Sequence, residues 1–487
     1  MHDQREDGAQ PSFKSVHITN FYHKDSGGIS TSYNNLLAAA TRHRRHVRLI
    51  VPGATESVET LSEFAKIYYI PARHSPLIDR RYRVMMPWQY MRKGSAIRKI
   101  LLEERPDMIE VTDKYTLSLI GPMIRTNNFR RLGRPMLVHF SCERMDDNIQ
   151  TFLRIGSAGK WLSDRVIRYY HLPSFDFHIA NSEYTAAEFF EAANGRRGGF
   201  ARRLQAMIWK RLKAPGAPIE ERVHVCHRGV NVRRYNPDSR STEARSKICR
   251  DAGVPETAVL LFYAGRLSPE KNIGLLLDTM EMLEADDDRD YRLLIAGDGP
   301  RAKRLAARAE RHIPERSVQL GHVNKDQLAR LYANTDVFVH PNPREPFGIA
   351  PLEAMASGLP LVAPNSGGIL SYANDSNAWL TEPNARCFAA AVRDAVTNEP
   401  VRQTRIDNAL ATVDQNRSDS SAERLLETYD RLYAKFTAKR AEFTGEISDD
   451  SSAALAKWVT FGLLGGLTYI VLMLDLDNDP ASYFRFF

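Results

Sequence analysis

Residues Arg344–Gly368 read REPFGIAPLEAMASGLPLVAPNSGG. Two glutamates, Glu345 and Glu353, flank a short apolar stretch that the pattern marks as the mouth of a helix. DVFVHP before it reads as the end of a strand, and NPREPFG as a loop. Pro351 suits the first helical position, where no N–H is needed, and Gly358 suits the C-terminal stop, with Pro360 just beyond. This places Phe347–Ala350 at the helix mouth, where free backbone N–H groups and the helix dipole attract an anion such as a phosphate. Gly348 lets the backbone approach a ligand closely. Glu353 is expected in the first turn and Glu345 in the loop before it. Carboxylates so placed accept two hydroxyls of a sugar or hydrogen bonds from the free N–H groups; an ordinary charged first turn fits equally well.

Outward from this stretch, short β-branched or apolar runs alternate with helical patterns, which predicts α/β domains with parallel sheets. In the first half, SVHITNFY, HVRLIVPG, PDMIEVT, RPMLVHFS and FDFHIANS read as strands, and a helix is expected from about Tyr90 to Glu104. A second series begins with RVHVCHRGVN and continues through AVLLFYAGR, YRLLIAG, SVQLGHV and DVFVHPN to LPLVA as the last strand. The expected organisation is two Rossmann-like, doubly wound domains, 1–222 and 223–420, facing a cleft. A closing helix at 421–441 and a linker with a hydrophobic segment at 442–487 follow. The triplet Ser-Gly-Gly occurs at Ser26–Gly28 and at Ser366–Gly368, so each half offers a glycine loop to the cleft.

AGRLSPEKN places Arg266 at a strand end and Lys271 just before a helix. The carboxyl edge of a parallel sheet is where such sheets bind ligands. The two cations suit a diphosphate, Arg266 through its fork and Lys271 as a point charge. Either one alone reads as a solvated surface cation. ADDDRD (Ala285–Asp290) imitates a D-x-D metal motif, but its place between a helix and a strand reads as a solvated loop. Four cysteines without C-x-x-C pairing argue against a zinc site or a disulfide framework and fit a reducing compartment.

Taken together, GGIS, AGRLSPEKN, AGDGP, LGHV and EPFGIAPLEAMASGLPLVA resemble the GT4 family of retaining glycosyltransferases, which have the GT-B fold. The match is close from RGVNVRRYNP at Arg228 to Gly368 and looser in the first half, through SGGIS and VHFSCERMD; the final tail is not covered. The resemblance implies a nucleotide-diphosphate sugar as co-substrate and no metal or other cofactor. It assigns Glu353 to the donor ribose and Glu345 to hydroxyls of the donor sugar. Phe347, Gly348 and Ile349 present backbone N–H groups to sugar and diphosphate, and Arg266 and Lys271 neutralise the leaving diphosphate. Val323 meets the base through its backbone, and Gly27 and Gly28 let the first-half loop approach the diphosphate from across the cleft. His139 falls where the family often has a histidine near the donor sugar, and also reads as a strand-end histidine satisfied by backbone. Asn342 stands where the family usually has serine, and Pro343 follows it. Retention by front-face attack, without a covalent intermediate, leaves no nucleophile to assign.

The 487-residue chain is 43% hydrophobic and carries a net charge of +8, which suits anionic partners such as acidic lipid, nucleic acid or a phosphorylated substrate. Its polar first residues carry no secretory signal pattern. WVTFGLLGGLTYIVLML (Trp458–Leu474) is uncharged and, as a helix, about 26 Å long against a hydrocarbon core of ~30 Å. With Lys457 and the residues from Ala453, it reads as a membrane anchor over about 453–474, a transmembrane helix, with a core helix or an in-plane anchor as the plainer alternatives. Lys439, Arg440 and Lys457 before it and Asp475, Asp477 and Asp479 after it put the bulk of the chain on the cytoplasmic face. Phe200, Leu204, Ile208 and Leu212 recur at spacing four among many cations, which suits a helix lying on an acidic membrane or packing on its own domain. RRYRVMMPWQY (Arg80–Tyr90) adds cations and aromatics. These features favour a lipid-linked or membrane acceptor in glycolipid or polysaccharide synthesis. A nucleotide-sugar epimerase on the same fold and a non-catalytic membrane- or nucleic-acid-binding scaffold are the alternatives. The basic groups are not interleaved as a stacking platform, so nucleic acid is not expected as a partner.

Overall fold

The computed structural model describes residues 13–444 apart from 24–26, 75–82, 130, 154–156, 196–197 and 287. The hydrophobic tail, with the anchor expected at 453–474, lies outside the described residues. No helix among the described residues is long and apolar enough to cross a membrane.

The first half builds an eight-stranded sheet from β1 (Lys14–Ile18), β2 (His46–Gly53), β3 (Ser57–Thr60), β4 (Ala65–Pro71), β5 (Met108–Val111), β6 (Met136–Ser141), β7 (Phe177–Ala180) and β8 (Val223–Val225). Their order is β8-β7-β6-β5-β1-β2-β4-β3, all parallel except β3, which pairs antiparallel with β4. The second half adds β9 (Val259–Ala264), β10 (Tyr291–Ala296), β11 (Ser317–Gly321), β12 (Val337–Val339), β13 (Leu361–Pro364) and β14 (Trp379–Thr381). This parallel sheet runs β11-β10-β9-β12-β13-β14. Along β9, Leu260, Phe262 and Ala264 join one hydrophobic cluster and Leu261 and Tyr263 another, so the sheet is covered on both faces. That double burial is why its sequence is continuously apolar.

Three sequence expectations are corrected here. RVHV was expected to open the second domain; instead Val223–Val225 pairs with β7 and completes the first sheet. The β3–β4 pair was not expected, since it breaks the strand–helix alternation at a sheet edge. Trp379–Thr381 adds a strand beyond LPLVA.

Six helices position the site: α1 (Gly28–Arg42), α2 (Met145–Leu153), α3 (Glu183–Asn194), α4 (Gly199–Arg211), α5 (Ile349–Ala356) and α6 (Ser418–Ala438). The chain passes between the halves at 226–230 and returns at 416–418. The two passages are hydrogen-bonded together, Val230 N to Asn416 O at 2.9 Å and Ser418 N to Val230 O at 2.8 Å. A Cβ on Gly229 would stand 2.4 Å from the Arg417 carbonyl, so this crossing admits no side chain there. Beyond the crossing, α6 packs Leu425, Leu426, Leu432 and Phe436 into one core with Leu36 and Leu37 of α1 and with Val47 and Phe177. Tyr429 OH donates to Glu110 Oε2 beneath it. Glu110 also accepts from Tyr33 OH at 3.0 Å and lies 2.9 Å from His17 Nδ1.

Candidate functional site

Strand order decides where the site forms. In the second sheet, β9 is the switch point: the chain winds outward from it in one direction to β10 and in the other to β12. The loops leaving the carboxyl ends of β9 and β12 therefore splay apart and leave a crevice between them. The first loop carries Arg266 and Lys271, and the second carries His340, Asn342 and Glu345.

Lys271 Nζ donates to Glu345 Oε2 at 2.8 Å, and Asn342 Nδ2 donates to the same oxygen at 3.0 Å. His340 Nε2 stands 3.4 Å away. Burial alone would raise the Glu345 pKa, but the Lys271 ammonium and His340 hold it well below the usual carboxylate range. Burial likewise works against the Lys271 ammonium, yet Glu345 and Glu270 raise its pKa overall. Both groups are thus charged at neutral pH. Asn342 has its own use, since its Oδ1 accepts from Arg344 N at 3.0 Å and turns the loop.

α5 begins at Ile349, two residues earlier than the proline rule predicts, and Pro351 is its third residue. Glu353 accordingly lies one turn in, and no acidic residue occupies the first turn. The helix mouth has no side-chain cap: Gly348 precedes it at φ 83°, and a Cβ there would stand 2.8 Å from both Ile369 Cγ2 and Tyr372 OH. Gly358 follows the helix in left-handed conformation, at φ 68°, as a C-terminal stop. The Phe347 ring is buried against Tyr372 and His227, leaving its backbone at the cleft. Ser366–Gly368 does not line the cleft: Gly368 N donates to the Glu345 carbonyl at 2.6 Å, and a Cβ on Gly368 would stand 1.9 Å from Pro346 O. This second glycine pair underpins the Glu345 loop from behind.

Glu353 accepts from Tyr332 OH at 3.1 Å. Burial pushes its pKa up to about 7, against the pull of the Tyr332 and Tyr235 hydroxyls and of Lys325 and Arg234. Val323 and His322, after β11, line the cleft beside it.

Across the cleft, Gly27 (φ 96°) caps α1 without a side chain. A Cβ on Gly28 would lie 3.2 Å from Ile349 Cγ2, so the mouths of α1 and α5 face each other. Ser182 Oγ, at the start of α3, donates to the Pro346 carbonyl at 2.5 Å and ties the halves together beside the cavity. The cavity encloses about 590 Å³, and its lining includes Gly27, Gly28, Arg266, Lys271, Val323, Glu345, Phe347, Gly348, Ile349 and Glu353. Ten of the eleven residues singled out from the sequence therefore meet in one place.

His139 is the exception and is corrected here. It lies in the middle of β6, fully buried, with its ring among His171, His178, Phe175 and Phe189. Neither ring nitrogen has a hydrogen-bond partner. Burial, with His171 and His178 beside it, drives its pKa well below the usual histidine value. It is a neutral core residue on the inner face of its strand, behind the cleft wall.

The sequence reading missed several lining residues. Glu143, in the turn before α2, has Oε1 buried without a partner, and burial pushes its pKa up to about 7. Its signal was present in VHFSCERMD, but only the fold turns it toward the cleft. His340 and Asn342 lay inside the opening motif. Tyr332 and Tyr235 had no local signal, because strand order alone brings them to Glu353.

Known proteins resemble this chain. A family model described as glycosyl transferases group 1 matches residues 244–412, and one described as a glycosyl transferase 4-like domain matches residues 27–202. The GDP-mannose-dependent alpha-(1-6)-phosphatidylinositol dimannoside mannosyltransferase of Mycobacterium tuberculosis is 30% identical over 392 residues, spanning 80% of this chain and 89% of the relative.

The chain belongs to the group 1 (GT4) glycosyltransferase family.

The sulfoquinovosyl transferase of Arabidopsis thaliana is 37% identical over 164 residues, covering 34% of this chain and 30% of that protein. Among solved structures, Anabaena Alr3699/HepE in complex with UDP-glucose superposes with a TM-score of 0.61 at 18% identity, covering 86% of this chain and all of the other. That likeness establishes the GT-B fold, two parallel-sheet domains about a cleft. The chain is therefore a glycosyltransferase that uses a nucleotide sugar, which replaces the epimerase and scaffold readings.

Proposed function

We propose that this GT4 glycosyltransferase moves a hexose, with retention of anomeric configuration, from a nucleotide-diphosphate sugar to a hydroxyl of a membrane-presented acceptor. The observation that carries the reading is that Glu345 and Glu353 open into one cavity on either side of the uncapped mouth of α5. A diphosphate at that mouth meets free N–H groups, Arg266 and Lys271. Glu353 then receives the ribose hydroxyls, with Val323 at the base, and Glu345 receives hydroxyls of the sugar. As the bond from the anomeric carbon to the diphosphate breaks, its electron pair leaves with the phosphate. The fixed cations and dipoles stabilise that charge, and the ionised Glu345 favours the positive charge on the sugar. The acceptor hydroxyl attacks from the side the phosphate leaves, and its proton passes to the departing phosphate oxygen. No step calls for a metal.

Two features support a membrane acceptor. The relative from Mycobacterium tuberculosis bears a phosphatidylinositol dimannoside in its name. On α4, Leu204 and Ile208 are half-buried, and Leu212 just after it is buried, so part of the apolar stripe packs on its own domain. Phe200, 82% exposed, and Met207, 53% exposed, stay outside among Arg202, Arg203, Lys210 and Arg211, a surface suited to an acidic bilayer. In the Arg80–Tyr90 stretch, Trp88 is exposed but Tyr90 is fully buried, and residues 80–82 lie outside the described residues. In this reading the enzyme works at the cytoplasmic face, held by α4 and by the segment 453–474.

The test is a panel of nucleotide sugars screened by thermal shift, followed by transfer assays on lipid extracts with the product's anomeric configuration read by NMR. Stabilisation by one donor and an α-linked lipid product from an α-linked donor are expected. An inverted product, or transfer only to soluble acceptors, contradicts the corresponding part of the reading.

A further inference from the structure

We propose that Arg228, on the crossing between the two halves, is a phosphate-binding residue that closes the diphosphate site from the side opposite Arg266 and Lys271. This deepens the reading above and rests on it.

Arg228 lies between the end of the first sheet and the Gly229 crossing, whose backbone is locked to Arg417. Its guanidinium is therefore carried by the element about which the halves meet. It lines the cavity, and its Nη1 is 3.7 Å from the point where a Cβ on Gly28 would sit. The same point is 3.2 Å from Ile349 Cγ2, at the mouth of α5. One cation thus stands where two helix mouths converge, and neither helix has a side-chain cap or an acidic residue in its first turn.

Three sources of positive potential at one spot repel one another unless an anion joins them. No carboxylate is paired with Arg228 among the described residues. Its Nη2 reaches only the Cys142 sulfur, 2.7 Å away, and its Nε is buried without a partner. Burial pushes the Cys142 thiol up to about 11, so that partner is a neutral thiol at physiological pH and leaves the charge uncompensated. Its guanidinium thus lacks an anionic partner, and the planar fork of an arginine is the geometry that suits a phosphate. Lys271, by contrast, already has Glu345. The diphosphate is then held from both halves at once, and its binding favours the closed cleft.

Isothermal titration of the four common nucleoside diphosphates into wild-type enzyme, Arg228→Ala and Arg228→Lys tests this, with apo melting temperatures measured alongside. The expected result is that the preferred diphosphate binds Arg228→Ala at least tenfold more weakly, with Arg228→Lys in between. The corresponding uncharged nucleoside, followed by saturation-transfer NMR, binds all three forms alike. The inference is overturned if Arg228→Ala binds the diphosphate within twofold of wild type, or if the nucleoside weakens in parallel. Absence of diphosphate binding by the wild-type enzyme refutes the donor-site reading itself, and this inference with it.

Discussion

Lys271 Nζ lies 2.8 Å from Glu345 Oε2, a contact that joins the loops leaving β9 and β12 at the point where the second sheet changes direction. Each group is largely buried, and each keeps the other charged. Lys271→Ala leaves a buried carboxylate short of its main partner, a change that typically costs about 3–5 kcal/mol of stability. In the proposed reaction it also removes one donor to the leaving group, for which a fall in turnover of about 10²–10³ is expected. Glu345→Gln keeps the shape and loses the charge. Turnover of donor measured against donor affinity separates the two effects: Glu345→Gln should bind the nucleoside diphosphate normally and turn over poorly.

Glu353 gives a dependence on pH. Its pKa in the folded chain, about 7, exceeds its ordinary value of 4.5. Between these values the folded state binds more protons than the unfolded one, so this group's contribution makes stability fall as pH rises from about 4.5 to 7 and level off above. Glu353→Gln should remove that decline, as urea midpoints at pH 5, 6, 7 and 8 will show. The ionised carboxylate is the stronger acceptor for ribose hydroxyls, so wild-type affinity for the nucleoside diphosphate should rise through pH 7. Affinity that stays flat across that range in wild type argues against Glu353 as the ribose acceptor.

Gly348 holds φ 83° with no room for a Cβ. Gly348→Ala combines left-handed strain with overpacking against Ile369 and Tyr372, roughly 2–5 kcal/mol together. Because the residue sits at the mouth of α5, donor affinity should drop along with stability. Calorimetric unfolding of apo and donor-bound protein reads both.

Much of this was legible beforehand, and the reason is local. The Glu345–Glu353 spacing, the glycines and the strand-end cations are short-range features whose chemistry does not depend on which strands are neighbours. The course of β9, β10, β12 and β13 was legible because buried parallel strands read as apolar runs. What sequence concealed needs the strand order. Tyr332 meets Glu353 because its helix, Lys325–Asn334, crosses from β11 back past β10 and β9 to β12. His139 looked like a strand-end residue, but its strand continues to Ser141, and alternation turns its ring into the core. Pro351 misplaced the start of α5 because Gly348, in left-handed conformation, begins the helix two residues sooner.

The placement of His139 is itself testable. His139→Leu removes two buried ring nitrogens that lack partners and puts an apolar side chain among aromatic neighbours. Donor affinity and turnover should stay within about twofold of wild type, and stability should hold or improve. A loss of activity on the scale of Lys271→Ala would restore His139 to the reaction.

Tyr429 reports on the return helix. Tyr429→Phe deprives the buried Glu110 carboxylate of a donor, at a cost of about 1.5–3 kcal/mol for a bond to a charged group. Since α6 joins the first half's core, the loss should appear as a lower urea midpoint for the first half, with the nucleoside-diphosphate affinity of the second half retained.

The most direct measurement is a crystal structure of the enzyme with an intact nucleotide sugar. The diphosphate should lie at the mouth of α5 against Lys271 and Arg266, with the ribose on Glu353 and the hexose on Glu345. A donor bound with its diphosphate away from the α5 mouth, or with the ribose and hexose ends exchanged, would contradict the account.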